Sequence, residues 1–163
     1  MTSNINAKTI ARIAAIQALY QYQINGATQS TDELIAAISG YYKDSEMRND
    51  LELTASSDPK IRLHLSYFTE LTRYTTEHLS ATDELITTHL SEGWTMDTLH
   101  TSLLALLRVA ITELRYFPEV PYKVVINEFT DIASDLLKDN EVAFVNSMLD
   151  NLHKELKNDT PAS

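Results

Sequence analysis

The 163-residue chain contains no cysteine. That excludes disulfides, a thiolate nucleophile and thiolate metal sites, and it suits a reducing compartment. Glycine (3) and proline (4) are scarce. So little turn chemistry argues against hairpins and for helices. Three dispersed glycines cannot build a Walker loop or a GxGxxG dinucleotide motif. No stretch approaches the ~18 apolar residues that span a bilayer, and no apolar run near the start has the form of a signal peptide. These absences predict a soluble, cytoplasmic chain with no membrane partner.

Charge is also missing in one place. Side chains sum to −10 over the whole chain, 13 Lys+Arg against 23 Asp+Glu, yet the first acid is Asp32. Before it stand only Lys8 and Arg12, in the segment AKTIARIAAIQALYQ. A strongly acidic protein repels a polyanion at long range, which excludes strong sequence-independent nucleic-acid binding. A local cationic site could still meet a short strand. On a helix Lys8 and Arg12 share one face, with Gln23 near the same line. They form either a solvated face of a core helix or a small anion-binding strip.

Hydrophobic content of 44% and the chain length suit one domain with a real core. No repeat or low-complexity tract interrupts it. The spacing predicts a first helix over 7–24, ended by Asn25-Gly26. Ser30-Thr31-Asp32-Glu33 reads as a capping box opening a short helix that Gly40 ends, followed by a long loop or fraying helix over 41–57. Asp58-Pro59 reads as a cap and first turn of a helix carrying Ile61, Leu65, Phe68 and Leu71. Ser80 to Asp83 restarts the chain, and Gly93 closes that segment. Three clear stripes follow at helical spacing: Leu99 to Leu114, Val125 to Leu136, and Val142 to Leu156. The expected fold is all-α, about seven helices in a domain over residues 1–157, with 158–163 a loose tail.

Catalytic chemistry is not apparent. The five histidines (His64, His78, His89, His100, His153) lack the spacing of a metal site. Acid pairs such as Asp83-Glu84 sit where helices start and read as capping groups. No metal, no cofactor and no enzyme activity are expected. Other residues do break the plain pattern. Phe144 falls about 110° from the centre of its helix's apolar stripe, with Asn146 on the opposite flank. Phe144 either packs under a neighbouring helix or stands half exposed, able to stack on a base beside the amide of Asn146. Tyr20 and Tyr22 suit a core margin or RNA stacking. Arg108, inside an apolar helix, is expected to pair with Glu113 or Glu128 and serve the fold. Trp94 reads as a packing anchor before the next helix.

The run LLRVAITELRYFPEVPYKVVINEFTDIA, followed by FVNSMLDNL, resembles the signature of the NusB family of bacterial transcription antitermination factors. The opening ARIAAIQALYQYQ is similar to that family's first helix, and Trp94 falls where many members carry it. The resemblance spans nearly the whole chain and is weakest over 40–60. It implies an all-helical protein of two packed helical subdomains. It implies pairing with the ribosomal protein NusE, binding of boxA-type single-stranded RNA, and work within an RNA polymerase antitermination complex that supports ribosomal RNA transcription. It also implies an RNA-facing site at the first helix and at the start of the last, which here means Lys8, Arg12, Tyr20, Phe144 and Asn146, with Lys123 a lesser member. This chain carries fewer cations than many relatives: Thr9 and Ile10 separate its two, Ala143 precedes Phe144, Ser134 stands where a base is frequent, and Leu103-Leu104 replaces an acid–base pair. Each lost cation removes about one phosphate contact. Weak RNA binding alone, and stronger dependence on NusE, are therefore expected. The competing expectation is a helical protein-interaction adaptor or homodimer with weakened RNA binding.

Overall fold

The structure is a computed structural model and describes residues 6–51, 62–90 and 93–159. Among the described residues it is all-helical: seven α-helices, one 3-10 turn and no strand. The chain divides into two compact units, Met1–Arg73 and Tyr74–Ser163, with the division falling inside one helix.

In the first unit α1 spans Ala7–Ile24. Asn6 caps it, its side-chain oxygen accepting from the Thr9 amide at 2.8 Å. The helix ends as its Asn25-Gly26 pair predicts: Gly26 has φ +72°, and Ala27 follows with φ +61°. Ile10, Ala11, Ala14, Ala15, Ile16, Ala18 and Leu19 are buried. Four alanines on that face let a second helix approach closely. That partner is α2, Thr31–Leu51. Ser30 opens it as expected: its hydroxyl oxygen accepts from the Glu33 amide and donates to the Glu33 carboxylate, each at 3.1 Å.

Gly40 does not end α2, contrary to expectation. A glycine stops a helix by taking a left-handed φ, and Gly40 stays helical. The apolar face meanwhile continues across it from Leu34 to Tyr42, whose hydroxyl donates to Gln17 of α1 at 2.9 Å. Of the two expectations for 41–57, a long loop or a fraying helix, the helix is found as far as Leu51; residues 52–57 lie outside the described residues, as does Asp58-Pro59. The next helix, α3, is Leu65–Glu77 and does not run from Pro59, because residues 62–64 are not helical. His64 acts at its start: its ring nitrogen accepts from the Tyr67 amide and its carbonyl from the Phe68 amide. Phe68 and Leu71 are buried, but Leu65 is exposed.

In the second unit α4 spans Leu79–Thr88, so Ser80 to Asp83 lie within the helix. A 3-10 turn at Met96–Thr98 leads into α5, Thr101–Tyr116. Helix α6 is Tyr122–Leu136, entered through Pro121, and α7 is Asp139–Asp159. The expected tail is therefore helical through Asp159; 160–163 lie outside the described residues. Helix α5 packs on α4, α6 and α7, and α6 packs on α7. Nine α5 residues are buried, Thr112 and Glu113 among them. The α6 stripe (Val125, Phe129, Ile132) and the α7 stripe (Val145, Leu149, Leu152) add to the core, with Ile86 of α4 and Phe117. No described helix is long and apolar enough to cross a membrane.

Candidate nucleic-acid interface

The two cations of α1 part company in the structure. Lys8 is exposed, and its ammonium lies 5.0 Å from the centroid of the Tyr67 ring. Arg12 is 2% exposed, its guanidinium 5.8 Å from the same ring. Tyr67 is itself buried. The π-face of one tyrosine thus gathers both charges of α1. Of the two cations, Lys8 presents its charge to solvent and Arg12 does not. The spacing placed the two on one side of the helix, but that side rotates under the Tyr67 end of α3. Further along α1, Tyr20 is 39% exposed and Tyr22 half-buried.

Phe144 sits one turn into α7. It is half-buried, neither sealed in the core nor free, and Asn146 two residues on is exposed. Phe144 forms part of the wall of a cavity of about 780 Å3. Leu99 just before α5, Leu103 within it, Leu136 at the end of α6 and Leu137 just after it also line it. Trp94 also lines it and is 57% exposed, so the expected packing anchor instead presents its indole at an opening. Leu136 is 51% exposed beside it. The charged groups of the cavity are Asp135 and Glu141 against Lys138. Glu141 also folds back on its helix start, accepting from the Lys138 amide at 3.1 Å. Asn146 is met by the Thr130 hydroxyl of α6 only at 3.5 Å, the limit of a hydrogen bond; that hydroxyl's strong contact is the Ile126 carbonyl at 2.7 Å.

Lys123 is exposed but does not join Phe144. Helices α6 and α7 run antiparallel: Thr130 meets Asn146, and Tyr122 stacks on His153 with ring centroids 3.6 Å apart. Lys123 therefore lies toward the far end of this pair, ~13 Å along α6 from the level of Phe144 at 1.5 Å per residue.

Sequence reasoning missed two partners. Tyr67 carries no local signal of its role; only the tertiary packing brings it to Lys8 and Arg12. Arg108 pairs with Asp83 of α4, its Nε and a terminal nitrogen donating to the two carboxylate oxygens at 2.9 and 2.8 Å. The anticipated structural role is met, with an acid first read as a cap. Asp83 is the fifth residue of α4, past the turn where a cap can act, because the helix begins at Leu79 and not at Ser80 to Asp83 as the sequence suggested. Among the described residues no cluster of three His, Asp or Glu is arranged to hold a metal.

A sequence model of the NusB family matches residues 9–154. The chain is 44% identical over 158 residues to the transcription antitermination protein NusB of Rickettsia bellii (strain OSU 85-389), covering 96% of this chain and 97% of that protein. The corresponding protein of Rickettsia massiliae (strain Mtu5) is 42% identical over 158 residues, with 95% and 97% covered. Among solved structures, T. maritima NusB superposes with a TM-score of 0.69 at 25% identity, covering 92% of each chain. A complex of antitermination factors NusB and NusE with dsRNA contains a chain of TM-score 0.70 at 20% identity, with 91% of this chain and 97% of that one covered.

Proposed function

Because this chain belongs to the NusB family of transcription antitermination factors and not to a family of enzymes, we propose that it binds boxA-type single-stranded RNA jointly with the ribosomal protein NusE. In this reading the pair acts in the cytoplasm, within an RNA polymerase antitermination complex that supports ribosomal RNA transcription, and residues 1–157 work as one functional domain. The observation that carries the RNA role is the head of α7, where half-buried Phe144 is followed by exposed Asn146. A partly exposed aromatic face beside an amide is what stacking on an unpaired base and reading its edge require. Lys8 supplies a phosphate contact, and Tyr20 a further stacking surface. Lys123 engages a separate part of the strand. Arg12 positions Tyr67 and α1 and does not touch RNA. With so few exposed cations, affinity for RNA alone is weak, and NusE supplies the remaining charge.

A second reading follows from Trp94 and Leu136, whose exposed apolar surfaces rim the cavity beside Phe144. Such a rim suits a protein partner. It is compatible with a helical adaptor or homodimer that has little RNA affinity.

The test is fluorescence anisotropy of a short boxA-like RNA titrated with the chain alone and with its cognate NusE, at two salt concentrations. Tight, sequence-selective binding only with NusE is expected. Phe144→Ala should weaken that binding by roughly 1–3 kcal/mol if the ring stacks on a base. Unchanged affinity in a folded variant removes Phe144 from the site. No binding under either condition, with a dimer mass on size exclusion, favours the second reading.

A further inference from the structure

The cavity at the head of α7 is lined by surfaces of graded exposure. Leu99 and Leu103 are buried, Leu137 and Phe144 are half-buried, and Trp94 and Leu136 are more than half exposed. An indole and a leucine left in water beside a space of about 780 Å3 are unfavourable in the free chain and favourable once an apolar group covers them. That volume lies within the range of ligand sites.

Charge separates the possible occupants. From Asp131 to Glu141 the end of α6 and the start of α7 carry four acids (Asp131, Asp135, Asp139, Glu141) and one base, Lys138. Asp139 and Glu141 stand in the first turn of α7, where the helix dipole favours them. Asp135 has no such reason. It lies in the last turn of α6, which contains no basic residue, so its carboxylate adds to the negative end of that dipole. Asp135 is exposed, and among the described residues its carboxylate makes no hydrogen bond or ion pair. A rim that is apolar and negative repels the phosphates of a nucleic-acid strand and attracts a cation. Trp94 offers a second surface for that cation, since indole is the best aromatic face for an ammonium or guanidinium.

We propose that this cavity docks a protein segment that inserts an apolar side chain among Leu99, Leu103, Leu136 and Phe144 and sets a lysine or arginine beside it, against Asp135 and the Trp94 indole. The proposal rests on the protein-partner reading of this rim and is separate from the RNA reading. Burial of the apolar anchor supplies most of the affinity, and the cation fixes which segment enters and in which orientation.

Trp94 is the only tryptophan of the chain, so its emission reports on this cavity directly. The full chain is titrated with a short blocked peptide of leucine and lysine, with its leucine–glutamate counterpart, and with the boxA-like RNA, whose binding is followed separately by anisotropy. The leucine–lysine peptide should move Trp94 emission to shorter wavelength, and the leucine–glutamate peptide should not. Asp135→Lys and Leu136→Ser should each weaken binding of the leucine–lysine peptide by about 10-fold. Both replaced side chains are exposed, so urea melts should find the fold intact. The proposal is overturned if neither peptide moves the emission, if the two peptides act alike, or if both variants bind as wild type does. Emission that responds to RNA and to neither peptide also overturns it and assigns the cavity to the strand. An absent RNA anisotropy signal beside a normal peptide response removes the RNA reading and supports this site.

Discussion

Replacing Lys8 and Arg12 one at a time separates the two tasks a cationic helix can have. Arg12→Ala removes a buried side chain. The two methylenes lost beyond Cβ are worth about 1.6 kcal/mol at ~0.8 kcal/mol each. A desolvated cation–π contact with Tyr67 adds up to ~2 kcal/mol. A loss of about 2–4 kcal/mol of folding stability is expected, a large fraction of the total for a domain this size. Arg12→Met keeps the stem and should recover about half of that loss. Lys8→Ala is different. Its ammonium is exposed, so its cation–π contact contributes about 0.5–1 kcal/mol. Its charge is available to phosphate, so its removal should lower the slope of log K against log salt by ~0.7 for a single strand. Urea melts measure the first effect; anisotropy titrations with NusE at several salt concentrations measure the second. An Arg12→Met variant that folds normally yet loses the salt-dependent part of RNA binding would refute the division drawn here.

Three further outcomes are expected. Asp83→Asn and Arg108→Ala should each destabilise the chain by about 1–3 kcal/mol, because each leaves a partly buried charge without its bidentate partner; in the double variant the losses should not add, which a denaturation cycle detects. Tyr42 is held protonated above the usual tyrosine range, chiefly by burial and then by neighbouring Tyr41. An unfolded chain releases that proton near pH ~10 while the fold retains it, so stability should fall as pH rises past that point, and Tyr42→Phe should reduce the fall in alkaline urea melts. A Cβ placed on helical Gly40 meets nothing within 4 Å. Gly40→Ala should therefore stabilise the protein by about 0.5–1 kcal/mol, seen as a higher denaturation midpoint at unchanged slope.

Much of the fold was legible because helices announce themselves through apolar spacing and caps. The bounds of α1 follow from Ala7 to the Asn25-Gly26 pair, and the α5, α6 and α7 stripes lie where the leucines and valines put them. The misreadings share one physical cause. Gly40 and Trp94 were assigned by residue type, whereas their behaviour depends on what packs against them. Tertiary contacts to α1 hold α2 helical through Gly40. Among the described residues none closes over Trp94, so a residue that usually anchors a core stays at a rim. The candidate site was legible only in pieces. Phe144 and Asn146 declared themselves by leaving the stripe. The difference between Lys8 and Arg12, one turn apart, depends on a tyrosine far away in sequence and could not be read from α1 alone.

The enclosure of α5 has a consequence for how the second unit assembles. Of its main neighbours, α4 and α6 flank it in the chain and α7 follows directly on α6. The loops to be closed are short, and the entropy of closing them is small. A helix so placed can gather its neighbours soon after collapse, so the search for the native arrangement is brief. Its amides are expected to exchange late, since their exposure requires its neighbours to leave. The head of α7, where Phe144 stands, lies at the outer edge of that cluster. Its ring can therefore adjust to a ligand while the helices that carry it remain assembled.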